Sequence, residues 1–73
     1  MKIDLHGLRH KDVRPKLIQF IEDNWNADAD VEIITGHSNE MKEITIDVLK
    51  EYKLKYQIGD NFGFNTGYIK TVI

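Results

Sequence analysis

Seventy-three residues make one domain, expected over 1–73, with no room for a second core. The chain has no cysteine, so disulfide staples and thiolate metal sites are excluded, which fits a reducing, cytoplasmic setting. No stretch approaches the ~20 apolar residues of a membrane span, and a net charge of −2 weighs against holding nucleic acid by overall electrostatics alone.

Lys2 to His6 alternates, with Ile3 and Leu5 on one face and Asp4 and His6 on the other, which predicts a first strand. Residues 12–25 place Val13, Leu17, Phe20, Ile21 and Trp25 at helical spacing, and Phe20 and Trp25 are expected in the core. Pro15 is tolerated only in a first turn, so an unkinked helix is expected to take Asp12 as its N-cap. "VEII" (31–34) predicts a second strand, and "TGHSN" (35–39) is turn chemistry with Ser38 or Asn39 suited to capping a second helix. That helix carries Met41, Ile44, Val48, Leu49 and Tyr52 on one side. A third strand over 53–58 alternates Leu54, Tyr56 and Ile58 with Lys53, Lys55 and Gln57. A Gly- and Asn-rich connection (59–67) leads to "YIKTVI".

The order βαβαββ predicts an α/β two-layer sandwich with a four-stranded mixed sheet. The helix-linked strands are expected to pair in parallel, and the last two as a hairpin. Strands covered on both faces would show continuous apolar runs, whereas the first and third alternate. Both helices are therefore expected on one face, leaving the other open and polar.

Charge is uneven along the chain. Residues 1–16 hold five Lys/Arg against two acids, 17–32 hold five acids and no base, and 52–73 hold three lysines against Asp60. This pattern fits either a solvated surface or a basic patch near the opening motif.

Two motifs point to chemistry. On a strand, Asp4 and His6 would project from one face with Cβ atoms roughly 6.5–7 Å apart. A carboxylate at that distance can orient an imidazole, the usual general base near neutral pH. Gly7 lets the chain turn at the carboxyl end of the strand, where open α/β sheets bind ligands. A polar pair on an uncovered sheet satisfies the same spacing without function. In "TGHSN", a strand runs through a glycine loop into a helix, so free N–H groups and the helix dipole favour an anion. Gly36 allows close approach, Thr35 or Ser38 can donate a hydroxyl, and His37 can protonate a leaving group. An ordinary β–α turn has this composition too. Arg9 is a candidate phosphate contact, His10 stays unassigned, and Phe62 and Phe64 can either stack on bases or cap the core edge.

In sequence, "IDLHG" (3–7), "TGHS" (35–38), Met41–Lys42 and "NTGYIKTVI" resemble, in order, the motifs of the small MutS-related (Smr) domain family. That family opens with Leu-Asp-x-His-Gly and carries His/Thr-Gly-x-Gly followed by Leu-Arg. Ile3 replaces the first leucine, and Ser38 stands at the last loop glycine. The resemblance implies an endonuclease acting on RNA or nicking DNA. Asp4 and His6 would be its catalytic pair, with Thr35, Gly36 and Lys42 at the substrate phosphate. Gly7, Arg9, His37 and Ser38 complete the expected substrate-binding set. No cofactor is expected, and a divalent-metal requirement is left open. The implied partner is nucleic acid, with ribosome association a further expectation, no membrane and a monomeric state. The alternatives are a non-catalytic nucleic-acid- or ribosome-binding module and, ranked lower, a small-molecule phosphate-ester enzyme.

Overall fold

The computed structural model describes residues 1–59 and 66–73. Its elements are β1 (Lys2–Asp4), α1 (His10–Asp23), β2 (Asp30–Ile34), α2 (Asn39–Glu51), β3 (Tyr56–Ile58) and β4 (Tyr68–Val72). The sheet order is β1-β2-β4-β3. β1 pairs β2 in parallel, and β4 runs antiparallel to both β2 and β3. The α/β mixed sheet is as expected, but β4 is inserted between β2 and β3, so the third strand does not pair with the second.

Burial alternates along the strands. Ile3, Val31, Ile33, Ile69 and Thr71 point inward, as do Leu5, Thr35 and Ile73 just beyond the strand ends. Val13, Leu17 and Ile21 of α1 join Met41, Val48 and Leu49 of α2 in one core cluster with them. Both helices therefore cover the same face, and Lys2, Asp4, Asp30, Lys70 and Val72 lie exposed on the other. Among the described residues, no helix is long and apolar enough to cross a membrane.

Several local expectations are corrected. β1 ends at Asp4, and His6 lies in a turn. Arg9, not Asp12, is the N-cap of α1. Its backbone is extended and its side chain makes no capping bond, while Asp12 sits in the first turn, where its charge suits the helix dipole. Pro15 then falls in the second turn, where it denies the Lys11 carbonyl its usual donor. Packing of Val13, Leu17 and Ile21 outweighs that local cost. Phe20 is half-buried as part of the apolar stripe, but Trp25 lies beyond the helix and is 47% exposed, its ring tilted against Tyr52 at 5.6 Å. Phe62 and Phe64 fall outside the described residues.

The third strand begins three residues late because α2 ends in a Schellman motif. Leu54 N–H donates to the Leu49 carbonyl and Lys53 N–H to that of Lys50. Lys53 occupies the left-handed position there, with φ +58°. Glycine is the usual residue at that position, and a side chain costs about 1–2 kcal/mol. Tyr56 and Ile58 share the inward register of Thr71 and Ile69, yet both stay exposed because β3 overhangs the helices.

The chain ends meet on β2. The Met1 amino group donates to the Asp30 carbonyl at 2.8 Å, and Ile73 exchanges both backbone bonds with Ala29.

The helices are tied by Arg14, which donates to both carboxylate oxygens of Glu51 at 2.6 and 2.5 Å. This hydrogen bond holds the Glu51 carboxyl below its ordinary value. A lowered folded-state pKa gives stability that is present above the unfolded value of about 4.3 and is lost as pH falls through the folded one. Glu51→Gln should therefore be less stable than the parent protein at neutral pH. In urea titrations the gap should close in acid, and a gap that persists there would show that the ion pair is not its source. A second test concerns Thr45, a fully buried α2 hydroxyl with no hydrogen-bond partner among the described residues. Thr45→Val should raise stability by about 1 kcal/mol, and a loss in urea unfolding would mean that the hydroxyl is satisfied in solution.

Candidate functional site

The carboxyl ends of β1 and β2, the start of β4 and the N-termini of both helices converge on one edge of the sheet. The Leu5 N–H donates to the Ile34 carbonyl at 2.8 Å, which carries the β1–β2 pairing one residue past the strand. The chain then turns over Leu5–Leu8, closed by the Leu8 N–H on the Leu5 carbonyl at 3.1 Å. Gly7 takes the third position with φ +87°, which a side chain would strain.

Asp4 and His6 are coupled, though not as a strand pair. Asp4 Oδ1 accepts from the backbone N–H of His6 at 2.9 Å. The carboxylate thus holds the turn that carries the imidazole, an Asx-type bond available at this spacing. Both side chains are exposed.

The imidazole rests against the second motif. Gly36 has φ +67°, and a Cβ there would lie 2.9 Å from His6 Cδ2. Thr35 is buried at 1% exposure, so it is unavailable as a direct contact. Its hydroxyl donates to the carbonyls of Gly36 at 2.9 Å and Gly67 at 3.3 Å. The backbone N–H groups of Thr35 and Gly36 both donate to Gly67 as well, at 3.0 and 2.9 Å. These donors were expected to face an anion. They hold the loop to the start of β4 instead.

Ser38 caps α2 with φ −72°, and its Oγ accepts from Met41 N–H at 3.2 Å. The replacement of glycine at this position is therefore accommodated without strain. Asn39 and Glu40, the first two residues of α2, have N–H groups that the helix itself cannot pair. His37 is exposed on the loop and Lys42 half-buried one turn into α2. Arg9 is exposed at the N-cap of α1. His10, unassigned from sequence, links the two helix starts. Its Nδ1 lies 2.9 Å from Glu40 Oε2 and its Nε2 3.4 Å from Ser38 Oγ.

Sequence reasoning missed Gly67 and the His10 link because both join residues about thirty positions apart. The glycine in "NTGYIK" was the one available signal. Two helix N-termini, Arg9, Lys42 and three histidines gather at this edge beside three acids, Asp4, Asp12 and Glu40, so attraction for an anion rests on the helix N-termini and not on an excess of basic side chains. Among the described residues, no group of three or more His, Cys, Asp or Glu side chains is placed to hold a metal ion.

Contact between Gly36 and His6 yields a direct test. Gly36→Ala should displace the imidazole and strain the left-handed loop, lowering stability by about 1 kcal/mol. It should also shift the His6 ring resonances in NMR spectra. Unmoved resonances would show that the ring does not rest on the loop.

The family model for the Smr domain matches residues 3–60, more than half of the chain. No curated protein and no solved structure matches it significantly. The Smr family is a nuclease-like, nucleic-acid-binding family. The match spans both motifs of the candidate site and every element through β3, and the chain belongs to the Smr domain family.

Proposed function

We propose that the chain is an endonuclease that cleaves phosphodiester bonds in nucleic acid, RNA in preference to DNA, at the edge formed by His6, Gly36 and the two helix N-termini. The observation that supports this most directly is the imidazole of His6, held by Asp4 through its backbone and seated on Gly36 beside the start of α2.

His6 accepts the proton of the attacking group, a 2′-hydroxyl or water. Asp4 is a positioning residue that holds the His6 turn. The first turn of α2, with Lys42 and Arg9, faces the phosphate and offsets the charge that builds on its oxygens in the transition state. Gly7 and Gly36 keep the approach clear of side chains. Thr35 acts from beneath by fixing the loop. His37 and Ser38 border the phosphate position, and His37 is placed in the exposed loop to protonate the leaving oxygen. With a 2′-hydroxyl as nucleophile, the new O–P bond closes a 2′,3′-cyclic phosphate and the released strand carries a 5′-hydroxyl.

A second reading, a binding module without cleavage, draws on the two loop N–H groups spent on Gly67. One experiment separates the two. Single-stranded RNA, structured RNA and supercoiled plasmid are incubated with the protein, with magnesium or with EDTA, beside His6→Ala and Asp4→Asn. His6→Ala should slow cleavage about 10²–10⁴-fold, with oligonucleotide binding retained, and Asp4→Asn should slow it less. Absence of cleavage in every arm favours the binding module, and cleavage undiminished in both variants overturns the assignment of His6 and Asp4.

A further inference from the structure

On the open face of the sheet, a hollow of about 1050 Å³ runs between the start of β1 and the start of β3. Lys2, Lys53, Lys55 and Lys70 line it, so four of the ten Lys/Arg residues of a net-acidic chain surround one depression. The acids in its lining, Asp30 and Glu32, both belong to β2. Glu32 is engaged by Lys2 at 3.9 Å and stands opposite Lys70 in the strand register. That leaves the β3 side dominated by positive charge. Among the described residues, Lys53 and Lys55 have no ion pair, and the Lys70 ammonium lies 5.8 Å over the Tyr68 ring.

Lys70 pairs with Gln57, two residues beyond Lys55, so Lys55 and Lys70 are diagonal neighbours about 7–8 Å apart. Neighbouring phosphates of an extended single strand have a similar separation. Like charges gathered on one face repel one another, and an anion bound among them relieves that repulsion. Lys53 adds an independent sign, because it holds a left-handed backbone position that glycine would fill without strain. Strain retained at one residue is a pointer to use. The shape also discriminates. Duplex readers insert a convex helix or ribbon into a groove, whereas this surface is concave and open.

We propose that the lysine-edged hollow binds a single-stranded segment of nucleic acid through its phosphates. Asp4 lies two residues beyond Lys2 on the same face, roughly 7 Å further along β1. A strand lying in the hollow is thereby led to the His6 turn. The inference rests on the nucleic-acid reading above and assigns that reading a substrate form and a path.

The test measures fluorescence anisotropy of a labelled oligouridylate over a range of salt concentrations. It compares the parent protein with Lys53→Gly and the triple variant Lys53→Gln, Lys55→Gln and Lys70→Gln, whose folding is checked by circular dichroism and melting. Each phosphate contact contributes about 0.7 to the slope of log affinity against log salt for single strands. The triple variant should lose about two units of slope and at least about tenfold in affinity at low salt. Lys53→Gly should melt at a higher temperature yet bind more weakly, a combination that misfolding cannot produce. Unchanged affinity and slope in the triple variant overturn the proposal. So do preference of the parent for duplex, failure to bind any oligonucleotide, and displacement by an acidic peptide of equal charge as readily as by unlabelled oligouridylate. Loss of the hollow's role with cleavage intact overturns this inference alone. Normal binding without cleavage overturns the catalytic reading alone.

Discussion

The antiparallel pairing of β4 with β2 is the contact on which the rest of the molecule depends. These are the two longest strands, and all five residues of one pair with all five of the other. β2 holds β1 on its far side, and β4 holds β3 on its own. The same pairing, continued past Tyr68, brings the Gly67 carbonyl under the Thr35–Gly36 loop, where three donors converge on it. A bond between strands thereby becomes the foundation of the candidate site. The loop's position is set by β4, more than thirty residues downstream, and not by its own sequence.

A chain this short supplies two helices, and they cover one face of the sheet. Both the candidate edge and the lysine-lined hollow follow from that limit. Helices that pack side by side over the strands start at the same end, so their unpaired N–H groups gather beside His6 and Gly36. The uncovered face keeps polar strand residues in solvent, where lysines remain charged without a burial cost. A third helix over that face would bring further apolar burial and remove the hollow.

Much of this was legible in the sequence, and what was not has a common cause. Alternation at Ile3–Leu5 and helical spacing at Val13, Leu17 and Ile21 placed the core, because burial follows periodicity. Ser38 was identifiable as a cap because its hydroxyl acts on the turn that follows it. Asp4 meets His6 at its backbone N–H, where the spacing suggested a carboxylate facing the imidazole. The carboxylate bonds to a backbone N–H because the strand stops at Asp4, two residues earlier than alternation suggests. Thr35 was taken for a surface donor and proves buried, because the Gly67 contact is invisible locally. Trp25 kept the apolar spacing after the helix itself had ended. Lys53 and Pro15 break local rules; the backbone bonds that close α2 hold the first, and the packing of Val13, Leu17 and Ile21 holds the second.

The meeting of the chain ends on β2 bears on how the domain can be joined to anything else. Residue 1 and residue 73 are fastened to Asp30 and Ala29, adjacent positions at the start of that strand. The His6 turn lies at the strand's other end. A fusion partner, a label or a surface attachment at either end leaves the candidate edge facing outward. Met1 also lines the hollow, so an attachment there stands beside it. Closely spaced ends of this kind suit circular permutation and insertion into a host loop. The domain can thus be displayed from a single point, with the candidate edge and the hollow at unequal distances from the tether.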